Sequence, residues 1–130
     1  MFELTVKSTF CAAHSISIGG TAEPLHGHNW HVTVTVRAEQ LDPDGLVCDF
    51  HTVHDKLREA IDSFDNNNLN EIPPFNAVNP TAELVAKHIA DSLTASLGDG
   101  LAPYARIAAV RVTESEGCSA TYFPPETPVN

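Results

Sequence analysis

Trp30-His31-Val32-Thr33-Val34-Thr35-Val36-Arg37-Ala38-Glu39 alternates between apolar and polar side chains along its length. Successive side chains of a strand point to opposite faces, so this period predicts a half-buried antiparallel strand. Trp30, Val32, Val34, Val36 and Ala38 turn toward a core, while His31, Thr33, Thr35 and Arg37 take the other face. The β-branched residues suit a pleated surface. Upstream, Phe2, Leu4, Val6, Phe10, Ala12 and His14 share one parity and predict a second strand over residues 2–14. The short-residue segment from Ser15 to Leu25, with Gly19-Gly20 and Pro24, reads as the loop between the two.

Downstream, Asp42-Pro43-Asp44-Gly45 reads as a turn, with Leu46 to Asp49 continuing the sheet briefly. Phe50, Val53, Leu57, Ile61 and Phe64 then recur at spacings of three and four, the period of an amphipathic helix, with Asp49 at the N-cap. Asn66-Asn67-Asn68 and Pro73-Pro74 interrupt it as a loop. Asn79-Pro80 opens a second helix, Val85, Ile89, Leu93 and Leu97 form its buried stripe, and Gly98 ends it. Arg106 to Glu114 and Cys118 to Phe123 read as a hairpin turning at Glu116-Gly117. The expected fold is an α+β two-layer domain over residues 1–123, in the order β-β-α-α-β-β, with a Pro-rich tail at 124–130. Ile107 and its neighbours threaten to place apolar groups on the second sheet face. A small sheet with free edges also invites pairing with copies of itself, so an oligomer is expected.

The chain has 130 residues, with 7 Lys+Arg against 17 Asp+Glu and a formal net charge of -10. This size favours one domain with a real core. The acidity argues against nucleic acid as a partner, because phosphate contacts need Lys and Arg in number. No apolar run suits a bilayer span, and Met1-Phe2-Glu3 lacks the start of a signal peptide, so no membrane partner and a cytoplasmic location are expected. Cys11, Cys48 and Cys118 are too scattered for a disulfide framework.

Seven histidines are the unusual feature of the composition. His26-Gly27-His28 projects two imidazoles the same way from an extended backbone, and His14 closes the first strand, from which the loop returns to His26. Three neutral imidazoles around one ion, with a fourth position open, are the arrangement of catalytic zinc. His31, His51, His54 and His88 read as structural or solvated. Glu114 shares its parity with Val110 and Val112. It reads either as a partly buried carboxylate that needs N–H donors from a ligand, or as a solvated group at the hairpin rim. Asp65 reads on pattern alone as a solvated helix-end group.

Together these residues resemble the family of 6-pyruvoyltetrahydropterin and 6-carboxytetrahydropterin synthases. The resemblance is carried by Phe10-x-Ala12-Ala13-His14, by His26-Gly27-His28-Asn29-Trp30 and by Asp49-Phe50. Asp65 through Asn70, Pro80-Thr81-Ala82-Glu83, and Glu114 with Ala120-x-Tyr122 complete it. It implies the tunnelling fold (T-fold): a four-stranded antiparallel sheet with two helices on one face, trimers closing their sheets into a barrel, and stacked trimers forming a hexamer. It further implies zinc on His14, His26 and His28, a dihydropterin substrate, usually 7,8-dihydroneopterin triphosphate, and Glu114 as the pterin anchor. The family's proton relay is a cysteine shortly before the His-Gly-His segment, assisted by an Asp-His pair. Here residues 20–25 contain no cysteine, and the pair reads Asp65-Asn66. An amide cannot shuttle protons as an imidazole does. Cys11 and Cys48 read as small buried hydrophobes rather than replacement bases.

Glu23 precedes Pro24-Leu25-His26-Gly27-His28. A subset of the family similarly carries a glutamate here and cleaves the dihydroneopterin side chain toward 6-hydroxymethyl-7,8-dihydropterin. The leading expectation is therefore a zinc-dependent pterin lyase or synthase with Glu23 and Asp65 as catalytic candidates. The alternatives are Glu23-dependent side-chain cleavage and a non-catalytic zinc-containing pterin binder. A triphosphate substrate would need local cations, with Lys7, Arg37 and Arg111 as candidates.

Overall fold

The computed structural model describes residues 1–101 and 104–126. Its elements run β1 (Phe2–His14), β2 (Ser17–Ile18), β3 (Thr21–Ala22), β4 (His26–Ala38), α1 (Phe50–Ile61), β5 (Asn67–Asn68), a 3-10 turn (Leu69–Glu71), α2 (Ala82–Leu101), β6 (Ala105–Ser115) and β7 (Cys118–Tyr122). β1 and β4 pair antiparallel along their whole length, from Phe2 opposite Ala38 to His14 opposite His26. The sheet order is β5-β1-β4-β6-β7. The alternating faces behave as expected: Leu4, Val6, Phe10 and Ala12 of β1, and Trp30, Val32, Val34 and Val36 of β4, are buried beneath the two helices.

The sheet differs from the expected four antiparallel strands by β5, which pairs parallel to β1 at Ala12 and Ala13. Asn66, in the left-handed region at φ 62°, turns the chain back after α1, and its N–H donates to the Cys11 carbonyl at 2.6 Å. Asparagine tolerates that conformation better than most side chains. The loop between β1 and β4 also holds a miniature hairpin, β2-β3. Gly19 and Gly20 both have positive φ, as a tight two-residue hairpin turn requires. Leu46 to Asp49 lies outside the sheet, contrary to expectation.

Ile107 is buried in the core and does not occupy the second face. The register of β4 and β6 shifts between Thr35 and Val36, so that Ala109 faces Thr35 while Ile107 faces Val36. The extra residue reverses the parity of β6 and returns Ile107 and Ala105 to the core side. This phase change is invisible to a simple period-two reading.

The Asp49 carboxylate accepts from the His51 N–H at 2.8 Å and starts α1. Val53, Leu57 and Ile61 are buried. Phe50, expected among them, is exposed. α2 starts at Ala82, where the Thr81 hydroxyl accepts from the Leu84 N–H at 3.2 Å, and it passes through Gly98 to Leu101. Leu101 extends the stripe of Leu93 and Leu97, and its burial offsets the roughly 1 kcal/mol helix penalty of a glycine. Cys11 is exposed on the helix-free face and Cys48 is half-buried against the core, so only the latter approaches the expected role. No described helix is long and apolar enough to cross a membrane. Tail residues 127–130 lie outside the described residues.

Candidate metal centre

Antiparallel register explains why three histidines distant in sequence meet. His14 pairs with His26, and Ala12 pairs with His28, so all three imidazoles share one end and one face of the β1-β4 ladder. Their ring centroids lie 4.7 to 5.2 Å apart. Trp30, two residues beyond His28 on the same face, forms the floor. Its indole edge meets His14 at 4.8 Å and His28 at 5.7 Å, it stacks on Phe10, and its N–H donates to the Ala12 carbonyl at 3.1 Å.

Glu114 arrives from β6. The β6-β7 register shifts between Thr113 and Ser115, leaving Glu114 as the extra residue of a bulge. Bulges re-aim side chains, and this one brings a carboxylate oxygen to 3.2 Å from His14 Nε2 and 2.9 Å from His28 Nε2. The candidate ligand atoms of His14, His26, His28 and Glu114 all lie within 4.8 Å of one another.

Hydrogen bonds to the opposite ring nitrogens set the tautomers. His14 Nδ1 donates to the Pro80 carbonyl and His26 Nδ1 to the Pro24 carbonyl, each at 2.8 Å. A carbonyl can only accept, so the proton resides on Nδ1, and in the neutral ring the Nε2 lone pair faces the cluster. His28 Nε2 is buried and has no hydrogen-bond partner among the described residues, although a Glu114 oxygen lies 2.9 Å away. Burial pushes the His28 pKa below its ordinary value, outweighing the attraction of Glu114. Two imidazoles with carbonyl partners behind them, a third whose Nε2 is buried, and one carboxylate are a donor set that fits zinc.

Glu23 occupies the open rim, half-buried, with its carboxylate 3.6 Å from His26 Nε2 and 3.3 Å from the Ile16 N–H. Asp65 does not join the cluster through any hydrogen bond or ion pair among the described residues. Its carboxylate accepts from the Cys11 N–H at 2.9 Å and pairs with Arg58 at 3.4 Å, clipping the loop after α1 to the edge of β1. His31, His51 and His54 are exposed away from the cluster, and His88 packs between Phe64 and Phe75. Of the candidate cations, Arg37 is already paired with Glu3, whereas Lys7 and Arg111 line one groove.

Several supporting groups escaped the sequence reading. Asn70 clamps the N–H and carbonyl of Ser15, and Asn79 does the same for Ser17, each bond lying between 2.8 and 2.9 Å. These two amides hold the loop that carries Glu23 toward the histidines. The Pro80 and Pro24 carbonyls act through the backbone, so no side-chain motif could announce them. The clustering of asparagines in loops was the available signal, and it indicates turns as readily as clamps.

Residues 3–125 match the model of the 6-pyruvoyl tetrahydropterin synthase family. The Bacillus subtilis 6-carboxy-5,6,7,8-tetrahydropterin synthase is 34% identical over 102 residues, covering 74% of this chain and 68% of that protein. The solved 6-pyruvoyl tetrahydropterin synthase of Caenorhabditis elegans has the same fold, with a TM-score of 0.81 at 21% identity over 95% of this chain and 96% of that one. The Plasmodium vivax enzyme gives 0.78 at 22% identity, covering 93% and 96%. A family match that spans the first strand, both helices and the final hairpin places this chain in the 6-pyruvoyl tetrahydropterin synthase family.

Proposed function

We propose that this protein is a zinc-dependent lyase of the tetrahydropterin synthase type, acting on 7,8-dihydroneopterin triphosphate or a related dihydropterin. The observation that carries the reading is the convergence of His14, His26, His28 and Glu114, with a buried His28 Nε2 that lacks a hydrogen-bond partner among the described residues. His14, His26 and His28 would hold the zinc ion, which when bound would supply Lewis-acid polarisation of the substrate side-chain oxygens and so acidify protons on the neighbouring carbons.

The proton acceptor in this reading is Glu23. Its carboxylate stands on the open side of the cluster, held by the Ile16 N–H and close to His26. None of the three cysteines lies in the loop before His26, so a thiolate base is not supplied from there. A solved Plasmodium vivax variant, described as a catalytic residue mutant, replaces a glutamate by alanine, which supports a carboxylate in this role. Glu114 faces the same space as an acceptor for the adjacent N–H groups of a pterin edge. Asp65 remains a catalytic candidate only if a neighbouring protomer brings it to the site. The long free margin of β1 and the opposite edge strand β7 support self-association of the sheets into trimers or hexamers.

The Glu23 carboxylate also supports a second reading, in which the dihydroneopterin side chain is cleaved to leave 6-hydroxymethyl-7,8-dihydropterin. Incubating zinc-loaded protein with dihydroneopterin triphosphate and identifying products by mass spectrometry separates the two. A 6-pyruvoyl or 6-carboxy product supports synthase chemistry, and a 6-hydroxymethyl product supports cleavage. Absence of turnover despite pterin binding refutes both. Glu23→Gln should keep zinc and pterin binding and lose turnover; full activity in that variant removes Glu23 from the base role.

A further inference from the structure

We infer that the helix-free face of the sheet carries a second site, for an oligophosphate, centred on Lys7 and Arg111. The chain has only 7 Lys and Arg against 17 Asp and Glu, so an unpaired cation is unexpected. Five of the seven are paired as that imbalance predicts: Arg37 with Glu3, Lys56 with Glu59, Arg58 with Asp62 and Asp65, Lys87 with Asp91, and Arg106 with Glu126. Among the described residues, Lys7 and Arg111 make no ion pair. They are also neighbours: Lys7 lies opposite Thr33 on β4, and Thr33 lies opposite Arg111 on β6.

Two strand spacings put their Cα atoms about 9.6 Å apart, within reach of two long side chains converging over Thr33. A groove of about 560 Å³ lies there, lined also by Thr113 and His31. Arg111 Nε donates to the Ser119 hydroxyl at 3.1 Å, which steadies the guanidinium, and its terminal nitrogens have no partner among the described residues. Glu116 is the one carboxylate of the lining and stands at the turn end, so the two cations outnumber it. An ammonium, a guanidinium fork and threonine hydroxyls on one surface match the several acceptor oxygens of linked phosphoryl groups.

This groove is distinct from the histidine cluster of the same protomer. Lys7 precedes His14 by seven residues, about 23 Å along a strand, and the odd separation places it on the opposite face. The inference therefore stands independently of the proposed reaction.

Isothermal titration with inorganic triphosphate and with adenosine triphosphate at low ionic strength tests it. Saturable binding is expected, weakening as salt rises, unchanged by His28→Ala, and at least tenfold weaker in the Lys7→Gln/Arg111→Gln double variant. Equal affinity for both ligands means that the phosphate chain alone is recognised; tighter binding of the nucleotide means that the groove also accepts the attached group. Both residues are exposed, and far-UV circular dichroism of the double variant should match the parent. No binding by the parent, unaltered affinity in the double variant, or binding abolished by His28→Ala would each overturn the assignment.

Discussion

Trp30→Phe tests whether the metal centre depends on the floor beneath it. Trp30 is fully buried, donates to the Ala12 carbonyl at 3.1 Å and meets the rings of His14 and His28. Phenylalanine keeps the stacking surface toward Phe10 but removes the pyrrole portion and its N–H. Losing roughly 40 Å² of buried apolar surface costs about 1 kcal/mol. A residual void of about 35 Å³ adds slightly less than 1 kcal/mol, and leaving the Ala12 carbonyl without its donor costs about 1 kcal/mol. The expected destabilisation is about 3 kcal/mol, or a melting temperature lower by about 10 °C for a domain of this length. Urea and thermal unfolding measure it directly, and a change below about 0.5 kcal/mol contradicts the packing described for Trp30.

The same variant should loosen the orientation of His14 and His28 and weaken zinc binding about tenfold, as loss of supporting contacts around ligands does. At fixed excess zinc, the stabilisation conferred by the metal then falls by about 1.4 kcal/mol. Leu57→Ala provides the control, because it empties a buried position on α1 that does not touch the cluster. Its stability should fall by about 2–5 kcal/mol while the zinc increment stays intact. Equal increments in the two variants would refute a supporting role for Trp30.

His88 packs against Phe64 and Phe75, and burial lowers its pKa below 6.5. The unfolded chain therefore binds this proton more readily than the folded one, so the contribution of His88 is complete above pH 6.5 and is lost as pH falls below it. His88→Leu should flatten the difference in stability between pH 7 and pH 5 relative to the parent; identical pH profiles would remove His88 as a cause. Asp65→Ala should cost about 1–2 kcal/mol by removing the acceptor of the Cys11 N–H and the partner of Arg58, whereas Asp65→Asn, which keeps an acceptor oxygen, should cost less. Chemical denaturation distinguishes these outcomes, and equal stability of both variants and the parent would contradict the clip.

The histidine trio was legible because strand parity and a two-residue spacing already place His26 and His28 on one face. Glu114 was only half legible: its parity indicated partial burial, but the bulge that aims it at His28 depends on how β7 registers against β6. Ile107 shows the same limit, since its return to the core follows from a register shift against β4. Asp65 had no informative pattern: its carboxylate accepts from the Cys11 N–H, distant in sequence, and pairs with Arg58 only through the fold of the loop after α1. Phe50 kept helical spacing yet remained exposed at the first position of α1.

By itself the sequence determined the two long strands, the two amphipathic helices and the trio of candidate ligands, because these follow from local periodicity and side-chain chemistry. Only the tertiary structure decided which tautomer faces the cluster, which carboxylate joins it, and which two cations lack an ion pair among the described residues of a chain of net charge -10. Those properties depend on carbonyls, bulges and ion-pair partners brought together by strand register and chain reversal. Periodicity orients a side chain toward a face; the rest of the fold supplies what it meets there.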